Sequence, residues 1–240
     1  MNLVVNPKYN HLKEWVTRLP ETFASQGEVL YDSRNQIRRI AAPDGCPVCV
    51  KRFHSPRFLN RLVYSFMRPP KAVRAYKNAV LLQEHGVFTP EPIAYLLQTQ
   101  GGLLGESYLV CRYSSLSRNF YEFRHHPLEG YEPVVKAFAR FTAHMHEQGI
   151  LHLDYSPGNI LFDIDDQNGQ VQFEIVDINR MQFDRFVSLD TACRNFCRLW
   201  GKEDFFRLLA REYAQARGFD ADTCTSLTLK HWKRFWRFRK

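Results

Sequence analysis

One run of twelve residues constrains this chain more than any other. Leu151-His152-Leu153-Asp154-Tyr155-Ser156-Pro157-Gly158-Asn159-Ile160-Leu161-Phe162 is apolar at each end with a polar turn between, and Asp154 and Asn159 stand five residues apart. Residues 163–169 form a polar turn, and residues 171–176 read as the strand that pairs back, ending in a second carboxylate at Asp177. Asp154 can orient a hydroxyl, and Asn159 and Asp177 can offer oxygen to metal ions. That is the minimum polar set for moving a phosphoryl group from a nucleotide. Each residue alone is also an ordinary turn former. The chemistry lies in their order and spacing.

The chain has 240 residues, 45% of them hydrophobic, which is enough for one good core or two small lobes and argues against disorder. Residues 1–10 carry no clear period, and residues 12–19 read as a short helix bounded by Pro20. From Gly27 the pattern turns to strands: residues 28–31, a turn at Asp32-Ser33-Arg34-Asn35, residues 36–42, a turn at Pro43-Asp44-Gly45, then residues 46–53. A helix over residues 71–85 follows, closed by Gly86, and then two strands over residues 93–98 and 106–113. The first half is thus expected as a five-stranded antiparallel sheet with one main helix. Lys51 sits near the end of an apolar strand. A lysine there can reach phosphates in a cleft, or simply face water. After a linker at residues 114–117 the chain reads as mainly helical, over residues 133–148, 188–200, 203–217 with Gly218 closing, and a terminal segment from Thr228.

Strands and a helix, a linker, a helix, His-x-Asp-x4-Asn and a strand ending in Asp: this order resembles the protein-kinase-like superfamily over roughly residues 25–200. Within it the chain is similar to the small bacterial lipopolysaccharide-core kinases that phosphorylate Kdo or heptose. The carriers are Ser33-Arg34-Asn35, Val50-Lys51-Arg52-Phe53, Phe58-Leu59-Asn60-Arg61-Leu62-Val63-Tyr64, Gly86-Val87-Phe88-Thr89-Pro90-Glu91-Pro92-Ile93 and His152-Leu153-Asp154. The resemblance implies a two-lobed α+β fold, with an N-lobe over residues 1–113 and a mainly helical C-lobe over residues 114–240. It implies ATP and Mg²⁺ as cofactors and a sugar hydroxyl of the lipid A–core as acceptor. Asp154 then takes the catalytic place, Lys51 and Arg34 serve the nucleotide phosphates, Asn159 and Asp177 hold metal, and His152 supports the loop.

The chain departs from the superfamily pattern in several places. No Gly-x-Gly-x-x-Gly separates the first two strands, Leu153 precedes Asp154 where Arg is usual, and Ser156 occupies the place of a lysine. Lys77 stands near where a glutamate should meet Lys51, and Glu84 lies far along the helix. A protein or small-molecule kinase of the same fold, and a pseudokinase-type binding scaffold, therefore stay open.

The formal net charge of +8 favours anionic partners. Basic and aromatic residues interleave over residues 54–71 and again from Lys230 to Lys240. Such segments suit an anionic membrane surface, or a last helix packing its rings inward, better than nucleic acid. No apolar signal region or membrane-length run is present, so the chain is expected to be soluble or peripheral; the resemblance implies a cytoplasmic place, at the face of the inner membrane. Cys46 and Cys49 have no second pair to complete a zinc site. They read as residues of one strand facing opposite ways, and the other four cysteines read as reduced core thiols.

Overall fold

The antiparallel sheet expected in the first half forms, with one strand more than the sequence suggests. The computed structural model describes residues 1–55 and 68–237. The expected carriers Phe58–Tyr64, most of the basic aromatic stretch at residues 54–71, and Phe238, Arg239 and Lys240 lie outside the described residues. Contacts group the chain into two units, Met1–Ser115 and Leu116–Lys240.

The first unit holds strands β1 (Asn2–Val5), β2 (Glu28–Asp32), β3 (Asn35–Ala41), β4 (Pro47–Phe53), β5 (Pro92–Gln100) and β6 (Leu103–Arg112). They form one six-stranded sheet in the order β1-β5-β6-β4-β3-β2, antiparallel throughout. The additional strand β1 pairs with β5 from Asn2↔Leu97 to Val5↔Ala94. It is four residues long and half-buried at the sheet edge, too short for a period-2 pattern to show.

Helix α1 (Lys13–Thr22) covers one face, where Val16 and Leu19, with Phe23 just past its end, cluster with Val48, Val50, Tyr108 and Val110. Pro20 lies inside this helix and does not bound it. An internal proline costs about 3 kcal/mol, and burial of Val16, Leu19 and Phe23 on the sheet offsets it. Helix α2 (Lys71–Glu84) covers the other face through Ala72 and Val73, which cluster with Phe53 and Tyr95. Because side chains alternate along β4, Val48 and Val50 face α1, while Cys49, Lys51 and Phe53 face the α2 side. Cys46 precedes β4 in the turn closed by Ala42 N–H to Cys46 O, so it does not share a strand with Cys49.

In the second unit, β7 (Arg118–Asn119), β9 (Ile160–Ile164) and β10 (Val171–Ile175) form a three-stranded sheet, and β8 (Leu151–His152) pairs with β11 (Met181–Gln182). Helices α3 (Glu132–Glu147), α4 (Leu189–Asn195), α5 (Glu203–Arg217) and α6 (Ala221–Arg237) complete it, with α5 packed on both α3 and α6. Its core is aromatic: Phe120 lies 4.3 Å from Phe138 and 5.6 Å from Phe162, ring to ring. Two expectations change here. The helix over residues 188–200 stops at Asn195, and a single 3-10 turn, Phe196–Arg198, leads out of it. The last helix begins at Ala221 rather than Thr228, because the Asp220 carboxylate accepts from Thr223 N–H at 2.8 Å and caps its first turn. All six cysteines are free thiols; Cys193 and Cys224 are buried, and the other four are half-buried.

Candidate active site

The β9–β10 hairpin brings the two ends of the site together. Phe162 pairs with Phe173 and Ile160 with Ile175, so Asn159, just before β9, lies beside Val176, just after β10. Val176 N–H donates to Asn159 O at 2.9 Å, which fixes that junction. Asp177 follows directly. Its φ of 55° lies in the left-handed region, which non-glycine residues rarely occupy. Backbone strain of this kind concentrates at functional sites. The Asn179 side-chain amide donates to Asp177 Oδ1 at 2.7 Å and holds the carboxylate in place.

His152 is buried beneath the loop. Asp154 N–H donates to His152 Nδ1 at 3.0 Å, so Nδ1 is the accepting nitrogen and the proton resides on Nε2. That Nε2–H meets Val176 O at 3.1 Å. Burial pushes the imidazole pKa below its ordinary value, which keeps the ring neutral and this tautomer intact. One ring thus braces the backbone of Asp154 against the strand that leads to Asp177. Asn195 adds a side-chain bond to His152 O at 2.9 Å, and Asn159 Nδ2 donates to Asp154 O at 2.8 Å. The neighbouring Tyr155 is fully buried and bonded to Thr142 Oγ1 of α3 at 2.8 Å, anchoring the loop to the helical core.

One residue of the site has no signal in the sequence. Arg198 Nη1 donates to Asp154 Oδ1 at 2.6 Å. It comes from the 3-10 turn after α4, the break that shortens the expected helix. Nothing in the spacing links it to Asp154, 44 positions earlier. It supplies a cation near Asp154 where Ser156 cannot.

The structure therefore brings His152, Asp154, Asn159 and Asp177 together in the second unit and adds Arg198. Lys51 and Arg34 belong to the first unit. Lys51 lies on β4, paired across the sheet with Ile37 and Leu109, its ammonium 5.3 Å from the Phe53 ring. Arg34 is exposed in the turn between β2 and β3. On α2, Lys77 and Glu84 are both exposed, and Glu84 is the one carboxylate in that helix.

Among the described residues there is no group of three or more His, Cys, Asp or Glu side chains that could hold a metal ion. The Asn159–Asp177 set is smaller, one amide and one carboxylate. It fits Mg²⁺, which keeps waters and takes one or two carboxylates plus substrate phosphates.

The second unit thus gathers an acid held beside a cation, a buried neutral imidazole, an amide and a carboxylate. Residues 50–237 match the lipopolysaccharide kinase (Kdo/WaaP) family, and the chain belongs to that family. A solved structure described as WaaP in complex with acyl carrier protein is similar over 98% of this chain and 100% of that one, with a TM-score of 0.64 at 18% identity. A MAP kinase from Leishmania major, LmaMPK10, is similar over 89% of this chain and 66% of that one, with a TM-score of 0.45 at 17% identity. A comparison with curated proteins gives no match. The fold is α+β and protein-kinase-like, as the sequence resemblance implies.

Proposed function

We propose that this chain transfers the γ-phosphoryl group of ATP to a hydroxyl of a Kdo or heptose residue in the lipopolysaccharide inner core. The observation that carries the chemistry is the His152 brace, which ties Asp154 to the segment bearing Asp177. Asp154 orients the acceptor hydroxyl and receives its proton as the oxygen attacks phosphorus. The new O–P bond forms as the bond to the β-phosphate oxygen breaks, and ADP leaves with that electron pair. Asn159 and Asp177 would hold Mg²⁺, which supplies charge neutralisation to the phosphates when bound. Arg198 keeps Asp154 in a single orientation, and Lys51 is the candidate for binding nucleotide phosphates.

A place at an anionic membrane face is supported by charge. The exposed side of α6 carries Lys230, Lys233, Arg234 and Arg237. Its aromatic residues turn inward, with Trp232 tilted against Phe206 at 4.7 Å and Trp236 lying 6.4 Å from Trp200. Basic residues, without the rings, are what this helix offers to headgroups. Among the described residues no helix is long and apolar enough to cross a membrane.

The test is mass spectrometry of Kdo-lipid A incubated with the purified full-length protein, ATP and Mg²⁺. One phosphate should be added by the native chain and none by Asp154→Ala. Product formation undiminished in Asp154→Ala overturns the role given to Asp154. No phosphorylated sugar on either Kdo- or heptose-bearing lipid overturns the acceptor.

A further inference from the structure

The 3-10 helix Phe120–Arg124, ahead of α3, carries an aromatic residue that lies outside the polar set of the site. Asn119 opens this turn, its side chain accepting from Tyr121 N–H at 3.0 Å. With about three residues per turn, Phe120 and Phe123 fall on one face and Tyr121 on another. Phe120 and Phe123 are buried in the aromatic core, the first 4.3 Å from Phe138 and the second 5.0 Å from Phe205, ring to ring. The turn is thereby fixed to the core, while Tyr121 stands out from it, 48% exposed.

Tyr121 touches both segments that place the reacting groups. Its ring covers Gly158, where an added Cβ would stand 2.8 Å from Cε2 of the ring and 3.0 Å from its hydroxyl oxygen. Gly158 sits inside the 3-10 turn Pro157–Asn159 and lacks a positive φ, so its backbone alone would accept alanine. The ring above it is what requires glycine. The next residue is Asn159, whose side chain donates to Asp154 O at 2.8 Å. The same Tyr121 ring lies 4.7 Å from that of Trp200, two residues past the Arg198 that holds Asp154. Leu199, between them, is fully buried and anchors that segment.

We propose that Tyr121 is a positioning residue for the phosphoryl transfer: its ring, packed against Gly158 and Trp200, sets the spacing between the loop that carries Asp154 and Asn159 and the segment that carries Arg198. The role rests on the reading of Asp154 as the group that orients the acceptor hydroxyl and of Asn159 as a metal ligand. From within, the loop is held by His152 and Tyr155. Tyr121 closes its exposed side. A misplacement of about 1 Å can cost roughly a hundredfold in rate, so a support that touches no reacting atom still governs turnover. A tyrosine ring suits the task, because few torsions must be frozen to hold a large rigid surface in place. Half-exposed, it adds little to global stability, and its effect falls on the local motion of the loop.

The test combines steady-state kinetics of the full-length protein, with ATP, Mg²⁺ and Kdo- or heptose-bearing lipid, and hydrogen exchange of the protein alone. Tyr121→Ala should lower kcat by roughly ten- to a hundredfold with the ATP KM little changed. It should also raise the Mg²⁺ concentration that gives half-maximal rate, because Asn159 follows Gly158 directly. The amides of residues 154–160 should exchange faster while the urea midpoint moves little. Tyr121→Phe, which keeps the ring, should recover most of the loss. Gly158→Ala, which displaces the ring, should reproduce the loss. Gly158→Ala combined with Tyr121→Ala should lose no more than Tyr121→Ala alone, because the clash is gone. Losses that add in the double variant overturn the positioning role, as does exchange that rises evenly across the second unit with a lowered urea midpoint. The exchange readout needs no acceptor, so it holds whichever sugar is phosphorylated. Turnover surviving in Asp154→Ala removes the parent reading, whereas kcat and loop exchange unmoved in Tyr121→Ala, with Asp154 essential, remove the role of Tyr121 alone.

Discussion

His146 makes the stability of this protein pH-dependent in a calculable way. It sits in α3, is 1% exposed, and its Nδ1 lies 2.9 Å from the Tyr213 hydroxyl. Arg217 Nη1 donates to that same hydroxyl at 2.7 Å, so Tyr213 turns its own proton toward His146. The imidazole is thereby held as an acceptor at Nδ1. Burial pushes its pKa down to about 3, assisted by the charge of Arg217. In the unfolded chain the ring returns to roughly 6.5. Below that pH the unfolded state binds a proton that the folded state refuses, so stability falls as pH drops from about 6.5 toward 3. Above pH 6.5 the effect vanishes. At pH 5 the loss is about 2 kcal/mol, from roughly 1.4 kcal/mol per pH unit. For a chain of this size that lowers Tm by roughly 4–8 °C.

The perturbation is His146→Gln, which can still bond to Tyr213 but cannot titrate. Urea unfolding at pH 7.5 and pH 5.0 gives the stability of both proteins. Acidic side chains and the buried His152 contribute equally to each and cancel in the difference. The native chain should be the more stable at pH 7.5, and its lead should shrink by about 2 kcal/mol at pH 5.0. A lead that is the same at both pH values would refute the buried neutral state assigned to His146.

Two further changes probe the site. Arg198→Ala should lower kcat by about 100-fold with the ATP KM little changed, Arg198→Lys should restore part of it, and the stability cost should stay within about 1 kcal/mol because the pair is partly exposed; steady-state kinetics and urea unfolding measure both, and loss of KM rather than kcat would refute the positioning role. Asp177→Gly and Asp177→Ala should both lose turnover, but the glycine variant should be more stable by about 1 kcal/mol, because residue 177 has φ near 55° and alanine is strained there. Equal urea midpoints for the two would show that the left-handed backbone is not retained.

What the sequence reveals about the site follows from distance along the chain. His152, Asp154, Asn159 and Asp177 fall within one loop and one hairpin, so a short spacing pattern carries their geometry directly. Arg198 is absent from any such pattern, because its approach depends on where α4 stops and how the 3-10 turn leaves it. The same limit applies to β1, whose four residues show no alternation until β5 is there to pair with them. The C-terminal helix fails differently. Its composition is plain, but composition does not say which face each ring occupies. Only packing on Phe206 and Trp200 separates the inward rings from the outward lysines and arginines.

Arg198 also explains how a loop with Ser156 in place of lysine can retain a cation. In a loop lysine the charge is tied to the backbone of the catalytic segment itself. Here it is carried by an element that touches Phe235 of α6, whose ring lies 5.9 Å from the guanidinium. The Asp154–Arg198 pair is about one-third exposed, so water screens it and it adds little to stability. Its 2.6 Å contact instead limits the orientations open to the Asp154 carboxylate. Arg198→Ala should therefore change the urea midpoint little while lowering kcat, and a large loss of stability with kcat retained would refute the orienting role.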